Sequence, residues 1–201
     1  MDLFNTERVV NVLPHDGIAD YHGRVFGVTE ASGWLERLMT DVAWRQDEVV
    51  IFGRRILTRR MVAWYGNTGY GYTYSGVTRQ AREWTDDLRA LKARVEELSG
   101  ATYNSCLLNL YHNGEEGVSW HSDDEKELLR DGAIASVSFG AERKFQFKHK
   151  VSGQLVEVVL EPGSLLVMRG ECQRFWLHAL PKTKKVSRPR VNLTFRTIVG
   201  A

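Results

Sequence analysis

After residue 100 the hydrophobic pattern changes to a period of two, and this change constrains the fold more than any other feature of the sequence. Apolar and polar residues alternate in short runs, separated by turn signals such as Glu161-Pro162-Gly163, which indicates strands and hairpins. Several short strands within a hundred residues predict a sandwich or jelly roll. The predicted strands cover 106–111, 134–139, 144–148, 155–160, 164–168, 174–178 and 190–199.

Two helices are predicted in the first hundred residues. The spacing of apolar residues predicts one over 29–39, with Thr29 as its N-cap, and a stronger one over 85–99. Thr85 is expected to cap the second helix and Gly100 to end it. Both helices are expected to pack against the outside of the jelly roll.

The rest of the first hundred residues predicts a hairpin and an arm. Runs at 49–52 and 56–65 indicate the two strands of the hairpin. Roughly the first 25 residues lack a regular period, and their apolar content predicts an irregular arm tied to the rest of the chain. Because there is no repeat or linker, we expect one domain over 1–201.

Composition and charge exclude several classes of protein. Lys and Arg number 27 and Asp and Glu 25, a net charge of +2, so any nucleic-acid surface must come from local clusters. No apolar run reaches the roughly 20 residues of a membrane span, and the N-terminus lacks a signal-peptide pattern. Cys106 and Cys172 cannot form a disulfide framework and are interpreted as small buried hydrophobes. We therefore expect a cytoplasmic protein in a bacterium, or a nuclear one in a eukaryote.

His121-Ser122-Asp123 is a candidate metal-binding motif. In an extended segment residues i and i+2 point to one face, so the imidazole and the carboxylate lie side by side. His178, near the end of another predicted strand, would complete two histidines and one carboxylate, the pattern typical of non-haem Fe(II) oxygenases. Taken alone, the His-x-Asp pair is a weak signal that favours a solvated loop over a metal site.

The C-terminal strand has a polar face of unusual composition. Its apolar residues face a core, whereas the other face carries two arginines, whose planar forks suit the carboxylates of a small dianion. An exposed edge with solvated arginines is the alternative. Asn109 and Tyr111 share one face of an earlier strand and can add hydrogen bonds to a carboxylate. The polar set is Arg190, Asn192, Thr194 and Arg196, and the apolar set is Val191, Leu193 and Phe195.

Together these residues resemble the AlkB family of Fe(II)- and 2-oxoglutarate-dependent dealkylating dioxygenases. The shared order is Asn109-x-Tyr111, His121-x-Asp123, His178 and Arg190-x-Asn192-x-Thr194-x-Arg196. The last motif is highly specific, and the likeness runs from about residue 45 to the C-terminus. It is closest to the branch that repairs duplex DNA, with further likeness at 51–54, 72–76, 123–125 and 134–140.

The resemblance implies a fold, a chemistry and the residues that carry it. The fold would be mainly β with flanking helices: a double-stranded β-helix (jelly roll) at about 103–199, with nucleotide-recognition hairpins at about 45–80. The cofactors would be Fe(II) and 2-oxoglutarate, with O2 as co-substrate. The reaction would oxidise the alkyl carbon on a base nitrogen and release it as an aldehyde. Iron would be bound by His121, Asp123 and His178, and 2-oxoglutarate by Asn109, Tyr111, Arg190, Asn192, Thr194 and Arg196.

The resemblance also implies how alkylated DNA would be bound, duplex or single-stranded. A base flipped out of the helix would stack on Tyr74, and an acidic pair would favour bases that alkylation makes cationic. Phe52, at a hairpin tip, would enter the base stack. This chain has Thr183 where that branch has a basic residue. The contact with the DNA strand opposite the lesion is therefore expected to be weaker. The substrate residues are Phe52, Arg60, Tyr72, Tyr74, Ser75, Asp124 and Glu125, and the DNA-backbone residues are Arg54, Arg55, Lys184 and Lys185.

Purely structural interpretations stay open for these residues. The tyrosines also suit sheet packing, the basic runs suit solvated loops, and Asp124 and Glu125 also suit the start of a helix over 126–129. Two other functions stay open: an Fe(II)/2-oxoglutarate dioxygenase acting on RNA, protein or a small molecule, and a non-catalytic jelly-roll binding module. We expect a monomer with no membrane contact and no obligate protein partner.

Overall fold

The computed structural model describes residues 9–51, 54–67, 71–74 and 77–199. No helix in these ranges is both long and apolar enough to cross a bilayer. The helices are α1 (Val28–Asp41), α2 (Asp86–Ser99) and α3 (Cys172–Phe175). The strands are β1 (Val10–Asn11), β2 (Ile18–Arg24), β3 (Arg45–Ile51), β4 (Arg54–Gly66), β5 (Gly71–Tyr74), β6 (Val77–Gln80), β7 (Ser105–Tyr111), β8 (Val118–His121), β9 (Ile134–Gly140), β10 (Arg143–His149), β11 (Leu155–Leu160), β12 (Ser164–Arg169), β13 (Trp176–Leu180) and β14 (Arg190–Arg196).

The strands form two main antiparallel sheets, as the jelly-roll prediction requires. The larger sheet has the order β1-β2-β12-β9-β14-β7-β4-β3, and the smaller one has the order β11-β10-β13-β8. The non-consecutive neighbours mean that the chain crosses repeatedly between the sheets. β5 and β6 form a separate hairpin. The predicted mainly-β class is confirmed.

Two cores form on the two faces of the larger sheet. On one face Leu108 and Phe195 pack with apolar side chains of the helices, such as Trp34 of α1 and Leu88 of α2. Both helices therefore cover the outside of the sheet, as predicted. The other core joins the sheets and includes Phe147, Leu166 and Trp176.

The prediction for α2 is confirmed, and that for the N-cap of α1 is wrong. The Thr85 hydroxyl accepts a hydrogen bond from the Leu88 amide at 3.2 Å, and Gly100 ends α2 in the left-handed conformation at φ 66°. α1 begins before Thr29, with Gly27 as its N-cap and no side-chain cap. The Thr29 hydroxyl therefore lies within the first turn.

The prediction of an irregular N-terminal arm is wrong for residues 18–24. This segment is β2, which pairs with β12 at the far end of the sequence. Its buried positions are held by Ala19 and Gly23, which are too small to produce a hydropathy signal. The alternation is therefore present in the structure but invisible in the sequence.

Two strand boundaries also differ from the prediction. Residues 172–175 form the helical turn α3, so the strand expected over 174–178 begins at Trp176. Phe175 packs on the second core although it lies in a helical turn. Its apolar side chain beside Trp176 gives this turn a sequence pattern like that of a strand. The last strand ends at Arg196 rather than at residue 199, while β3 and β4 form the predicted hairpin.

Candidate metal centre and co-substrate pocket

His121 and His178 are brought together by strand pairing. They lie directly opposite each other on β8 and β13, with ring centroids 4.2 Å apart. Asp123 follows β8 by two residues, and one ligand atom from each of the three side chains lies within 4.8 Å of the others. The three residues that the sequence proposed as iron ligands therefore form one cluster.

The orientation of His121 is set by its second ring nitrogen. Nδ1 lies 2.8 Å from the Ser119 carbonyl oxygen, which can only accept, so Nδ1 carries the proton. Nε2 is then left with a lone pair and lies 3.8 Å from Asp123 Oδ1. A histidine that donates its other nitrogen to a carbonyl is the usual arrangement of a metal ligand.

Asp123 offers one free oxygen to the site. Arg196 donates to its Oδ2 from Nε at 3.1 Å and from Nη2 at 2.7 Å, whereas the buried Oδ1 has no hydrogen-bond partner. Burial alone would raise the pKa of this carboxyl, but the charge of Arg196 lowers it to about 2. Asp123 is therefore ionised at neutral pH.

His178 is held in the neutral form that metal binding needs. Burial, reinforced by His121, lowers its pKa to about 3. The neutral imidazole of His178, the Nε2 of His121 and an ionised carboxylate with an unpartnered buried oxygen suit a divalent first-row metal such as Fe(II). The residues present thus fit an iron ion. Because they number three, further coordination positions would remain for ligands that are not part of the protein.

The polar face of β14 lines a pocket beside these residues. Its apolar side chains are fully buried on the opposite face, so the predicted alternation is confirmed. β14 lies in the interior of the larger sheet, between β9 and β7, which excludes the alternative of an exposed edge with solvated arginines. The same pocket is lined by Asn109 and Tyr111 of β7, which lie opposite Asn192 and Arg190.

Arg190 is a buried cation without an anionic partner among the described residues. Its Nη2 donates to the Ser138 hydroxyl at 2.9 Å, its Nε has no hydrogen-bond partner, and its guanidinium lies 5.4 Å from the ring centre of Tyr111. Burial lowers its pKa to about 10, so it remains charged at neutral pH. Such a group is costly unless an anion occupies the pocket.

Asn192 and Thr194 are already engaged within the protein. The Asn192 side-chain amide donates to the Ser136 hydroxyl at 2.9 Å and to the Val137 main-chain carbonyl at 2.8 Å, and the Thr194 hydroxyl donates to the side-chain Oδ1 of Asn192 at 3.3 Å. Both side chains line the pocket. They therefore form a fixed wall rather than adaptable contacts.

A buried ion pair also lines the pocket. Arg60 of β4 donates to Asp47 of β3, and both side chains are almost fully buried. The sequence pointed to Arg60 but missed Asp47. Asp47 lies before the strand predicted over 49–52, so the predicted hairpin did not include it; the observed strand β3 begins at Arg45.

The other residues proposed for substrate binding have different positions. Asp124 is exposed and Glu125 is half-buried, and both line a groove that shares Asp123 and Arg196 with the pocket. No helix forms over 126–129. Lys184 and Lys185 are exposed between β13 and β14. Only the backbone is described for Arg54, Arg55, Tyr72 and Tyr74, whereas Phe52 and Ser75 lie outside the described residues.

A second cluster of His15, Asp16 and His149 has the same composition as the first. Asp16 Oδ2 lies 3.0 Å from His15 Nδ1 and 3.2 Å from His149 Nε2. The Ser152 amide donates to His149 Nδ1 at 3.0 Å, so the proton of the neutral ring lies on Nε2, which is near the carboxylate but makes no hydrogen bond to it. This cluster is therefore a polar clasp between the segment before β2 and the end of β10.

The fold and the site define a jelly-roll protein with two histidines and one carboxylate beside a cationic pocket. A family model described as the 2OG-Fe(II) oxygenase superfamily matches residues 20–196. The human alpha-ketoglutarate-dependent dioxygenase alkB homolog 3 is 42% identical over 85% of this chain, which spans 63% of that relative. The mouse DNA oxidative demethylase ALKBH2 is 40% identical over 93% of this chain and 83% of the relative. The solved structure of OsALKBH1 matches with a TM-score of 0.61 at 15% identity, over 92% of this chain and 99% of that one.

The chain therefore belongs to the 2OG-Fe(II) oxygenase superfamily and, within it, to the AlkB family. The superfamily is defined by Fe(II) and 2-oxoglutarate, used with O2. The cluster of His121, Asp123 and His178 and the pocket around Arg190 fit these groups.

Proposed function

We propose that this protein is an oxidative dealkylase of N-alkylated bases in DNA, of the 1-methyladenine and 3-methylcytosine type, with activity on duplexes. The observation that carries the proposal is one pocket that joins a cationic wall to a cluster suited to iron. The names of the ALKBH2 relatives, DNA oxidative demethylases, support the substrate. We further propose that the protein is a monomer. It would act in the compartment that contains the DNA, which is the cytosol of a bacterium or the nucleus of a eukaryote.

Arg190 and Tyr111 would hold the distal carboxylate of 2-oxoglutarate. The unpartnered Nε of Arg190 and the lack of a carboxylate beside it in the described ranges support this role, because a carboxylate would satisfy both the charge and the donor. Arg196 and Asn109 would lie near the carboxylate that binds iron. Asn192 and Thr194 would shape the wall between the two ends, since their own hydrogen bonds fix them in place.

Bound Fe(II), with O2 and 2-oxoglutarate, supplies the oxidising power for the alkyl C–H bond. The chain's own part is to bind and orient. His121, Asp123 and His178 would hold the ion, and Arg196 keeps Asp123 ionised and oriented. The hydroxyalkyl group formed on the base nitrogen would then leave as an aldehyde.

Recognition of the base would depend on residues around the mouth of the pocket. A flipped base would stack on Tyr74, with His121 opposite and with Tyr72 and Ser75 along the approach. Asp124 and Glu125 would favour a cationic alkylated base over a neutral one. Arg60 would complete the substrate pocket, and the residues on DNA phosphates would be Arg54, Arg55, Lys184 and Lys185.

The test of the proposed function is release of aldehyde and formation of succinate from oligonucleotides with one 1-methyladenine. Matched single strands, duplexes and unmethylated duplexes would be compared, each with and without Fe(II). We expect Fe(II)-dependent turnover that the methylated DNA stimulates and the unmethylated DNA does not. Succinate formation that no DNA stimulates, but that RNA or a protein extract does, would reject DNA as the substrate.

Arg190→Ala tests the co-substrate assignment. Loss of a charge-assisted hydrogen bond of about 1.5–3 kcal/mol is expected to weaken 2-oxoglutarate binding roughly 10- to 100-fold. Affinity for DNA should stay unchanged. Equilibrium binding of 2-oxoglutarate to the metal-loaded protein measures the effect, and Arg24→Ala, which removes an exposed arginine paired with Glu161, is the control. An unchanged affinity would mean that the pocket is assigned to the wrong residues.

Phe52→Ala tests activity on duplexes. An aromatic ring in the stack would offset part of the few kcal/mol that unstacking costs, and a single strand has no gap to fill. We expect roughly a tenfold larger loss on duplex than on single-stranded substrate, with iron and 2-oxoglutarate binding unchanged. Equal losses on both substrates, together with a lower melting temperature, would indicate that Phe52 is a packing residue.

A further inference from the structure

Two connections join the strands of the pocket on its side remote from Asp123. The turn 112–117 connects Tyr111 of β7 to β8, and the segment 181–189, here called the basic loop, connects β13 to β14. The basic loop therefore lies between the strand of His178 and the strand of Arg190. Its four basic residues are all exposed. They are Lys182, Lys184, Lys185 and Arg188.

Gly114 joins the turn to the basic loop through its backbone. Its amide donates to the Val186 carbonyl and its carbonyl accepts from the Thr183 amide, both at 2.7 Å. A Cβ at this position would lie 2.3 Å from the Thr183 carbonyl oxygen, which no side chain tolerates. The two segments are thus held in contact on both sides of Lys184 and Lys185.

Arg143 at the start of β10 lies beneath this junction. Its Nη2 donates to the Glu116 carbonyl at 2.9 Å, in the turn, and to the Pro181 carbonyl at 2.8 Å, in the basic loop. Longer contacts reach the carbonyls of Gly114 at 3.3 Å and Asn113 at 3.4 Å. One guanidinium therefore bridges both segments.

The environment of Arg143 is unusual for a buried charge. The residue is only 3% exposed and forms no ion pair among the described residues, since the nearby carboxylate of Glu116 is bound to His112. Within the described part of the chain, the hydrogen bonds of its guanidinium all go to main-chain carbonyls. A planar fork with several N–H groups can serve carbonyls on two segments at once, which the point charge of a lysine cannot do from the same place.

We propose that Arg143 is a positioning residue that seats the basic loop against the turn 112–117, so that Lys184 and Lys185 contact DNA phosphates while the base occupies the pocket. This inference rests on the proposed function, because it takes DNA as the ligand of the loop. The turn follows Tyr111, but Tyr111 itself is held by the pairing of β7 with β14, so loosening the turn should leave the co-substrate pocket intact.

The experiment uses Arg143→Met and, in case that variant does not fold, Arg143→Lys, which keeps the charge but loses the fork. Arg169→Met is the matched control, because Arg169 is a half-buried arginine of β12 that contacts Asp20 and the Ser99 carbonyl. Affinity for a methylated duplex is measured at several salt concentrations, and amide hydrogen exchange is measured at Gly114 and Thr183 without DNA.

We expect faster exchange at both amides and about tenfold weaker DNA binding in both Arg143 variants. The dependence of log K on log salt should become shallower by about 1–2, since each lost phosphate contact contributes about 0.9. Iron and 2-oxoglutarate binding should change by less than about twofold. A loss of general stability would move none of these slopes, and Arg169→Met should leave all of them unchanged.

A double-mutant cycle makes the assignment specific. If Arg143 acts through the loop, Arg143→Met should have little further effect on DNA binding in a Lys184→Ala/Lys185→Ala background. Additive losses, or unchanged exchange at Thr183, would overturn the proposal. Wild-type DNA affinity in the double-lysine variant would overturn it as well, whereas the dealkylase proposal depends separately on the aldehyde assay.

Discussion

The two His-Asp-His clusters of this protein have the same residue types but opposite hydrogen-bond patterns. In the first, His121 donates Nδ1–H to a carbonyl and keeps a lone pair on Nε2 for the cluster. In the second, His149 accepts a backbone N–H at Nδ1, which places its proton on Nε2, toward Asp16. Proximity of ligand-type residues therefore does not define a metal site. The tautomer of the imidazole is decided by the hydrogen-bond partner of the ring nitrogen that faces away from the cluster.

The carboxylates of the two clusters differ in the same way. Asp123 is buried, and Arg196 occupies one of its oxygens while the other stays free. Asp16 is 46% exposed at its side chain and interacts with both histidines through one oxygen. The first arrangement holds a buried negative charge with one unpartnered oxygen, which a metal ion would satisfy. In the second, the carboxylate is partly exposed to solvent, which weakens its interaction with the histidines.

The largest effect that separates the clusters is expected from Asp123→Ala. Removing this ligand leaves two neutral histidines, so iron loading and turnover should both be lost. Titration with Co(II), followed by its visible absorption, measures loading without requiring activity. Near-native loading and turnover in the variant would break the comparison, because the first cluster would then not be the metal site.

A smaller effect is expected from Arg196→Lys. The substitution keeps the charge but loses the two donors on Asp123 Oδ2, and loss of such an orienting partner typically costs 10- to 100-fold in metal affinity. The measurement is the Fe(II) or Co(II) dissociation constant. If the constant does not change, orientation by Arg196 is not what distinguishes Asp123 from Asp16.

The smallest effect is expected from Asp16→Asn. Asn tolerates the left-handed backbone of this position, at φ 52°, so the substitution removes only the charge of the clasp. Because the group is largely exposed, the melting temperature should fall by no more than about 2–4 °C, with metal stoichiometry and turnover unchanged. Loss of a bound metal ion in this variant would show that the second cluster is also a metal site.

The sequence predicts those parts of this molecule in which side chains repeat at a fixed period. The strict alternation in β14 gives both the core face and the pocket face, and Thr85 and Gly100 give the ends of α2. β2 escapes prediction because its buried residues are small.

Contacts that depend on strand register or on main-chain acceptors also escape prediction. The pairing of Asp47 with Arg60 requires the register of the β3–β4 hairpin, which the sequence does not give. Arg143 is invisible for another reason: its partners are carbonyl groups, which every residue possesses. A side chain whose hydrogen-bond partners are main-chain carbonyls can be identified only from the three-dimensional structure.

The pairing of His121 with His178 across β8 and β13 also has a consequence for the order of events during biosynthesis. In an unfolded chain only His121 and Asp123 are close together. His178, which follows His121 by 57 residues, joins them when β8 and β13 pair. Strong chelation therefore follows closure of the smaller sheet rather than guiding it. An iron ion bound at this cluster would stabilise the native state by mass action, so the melting temperature would rise with the iron concentration.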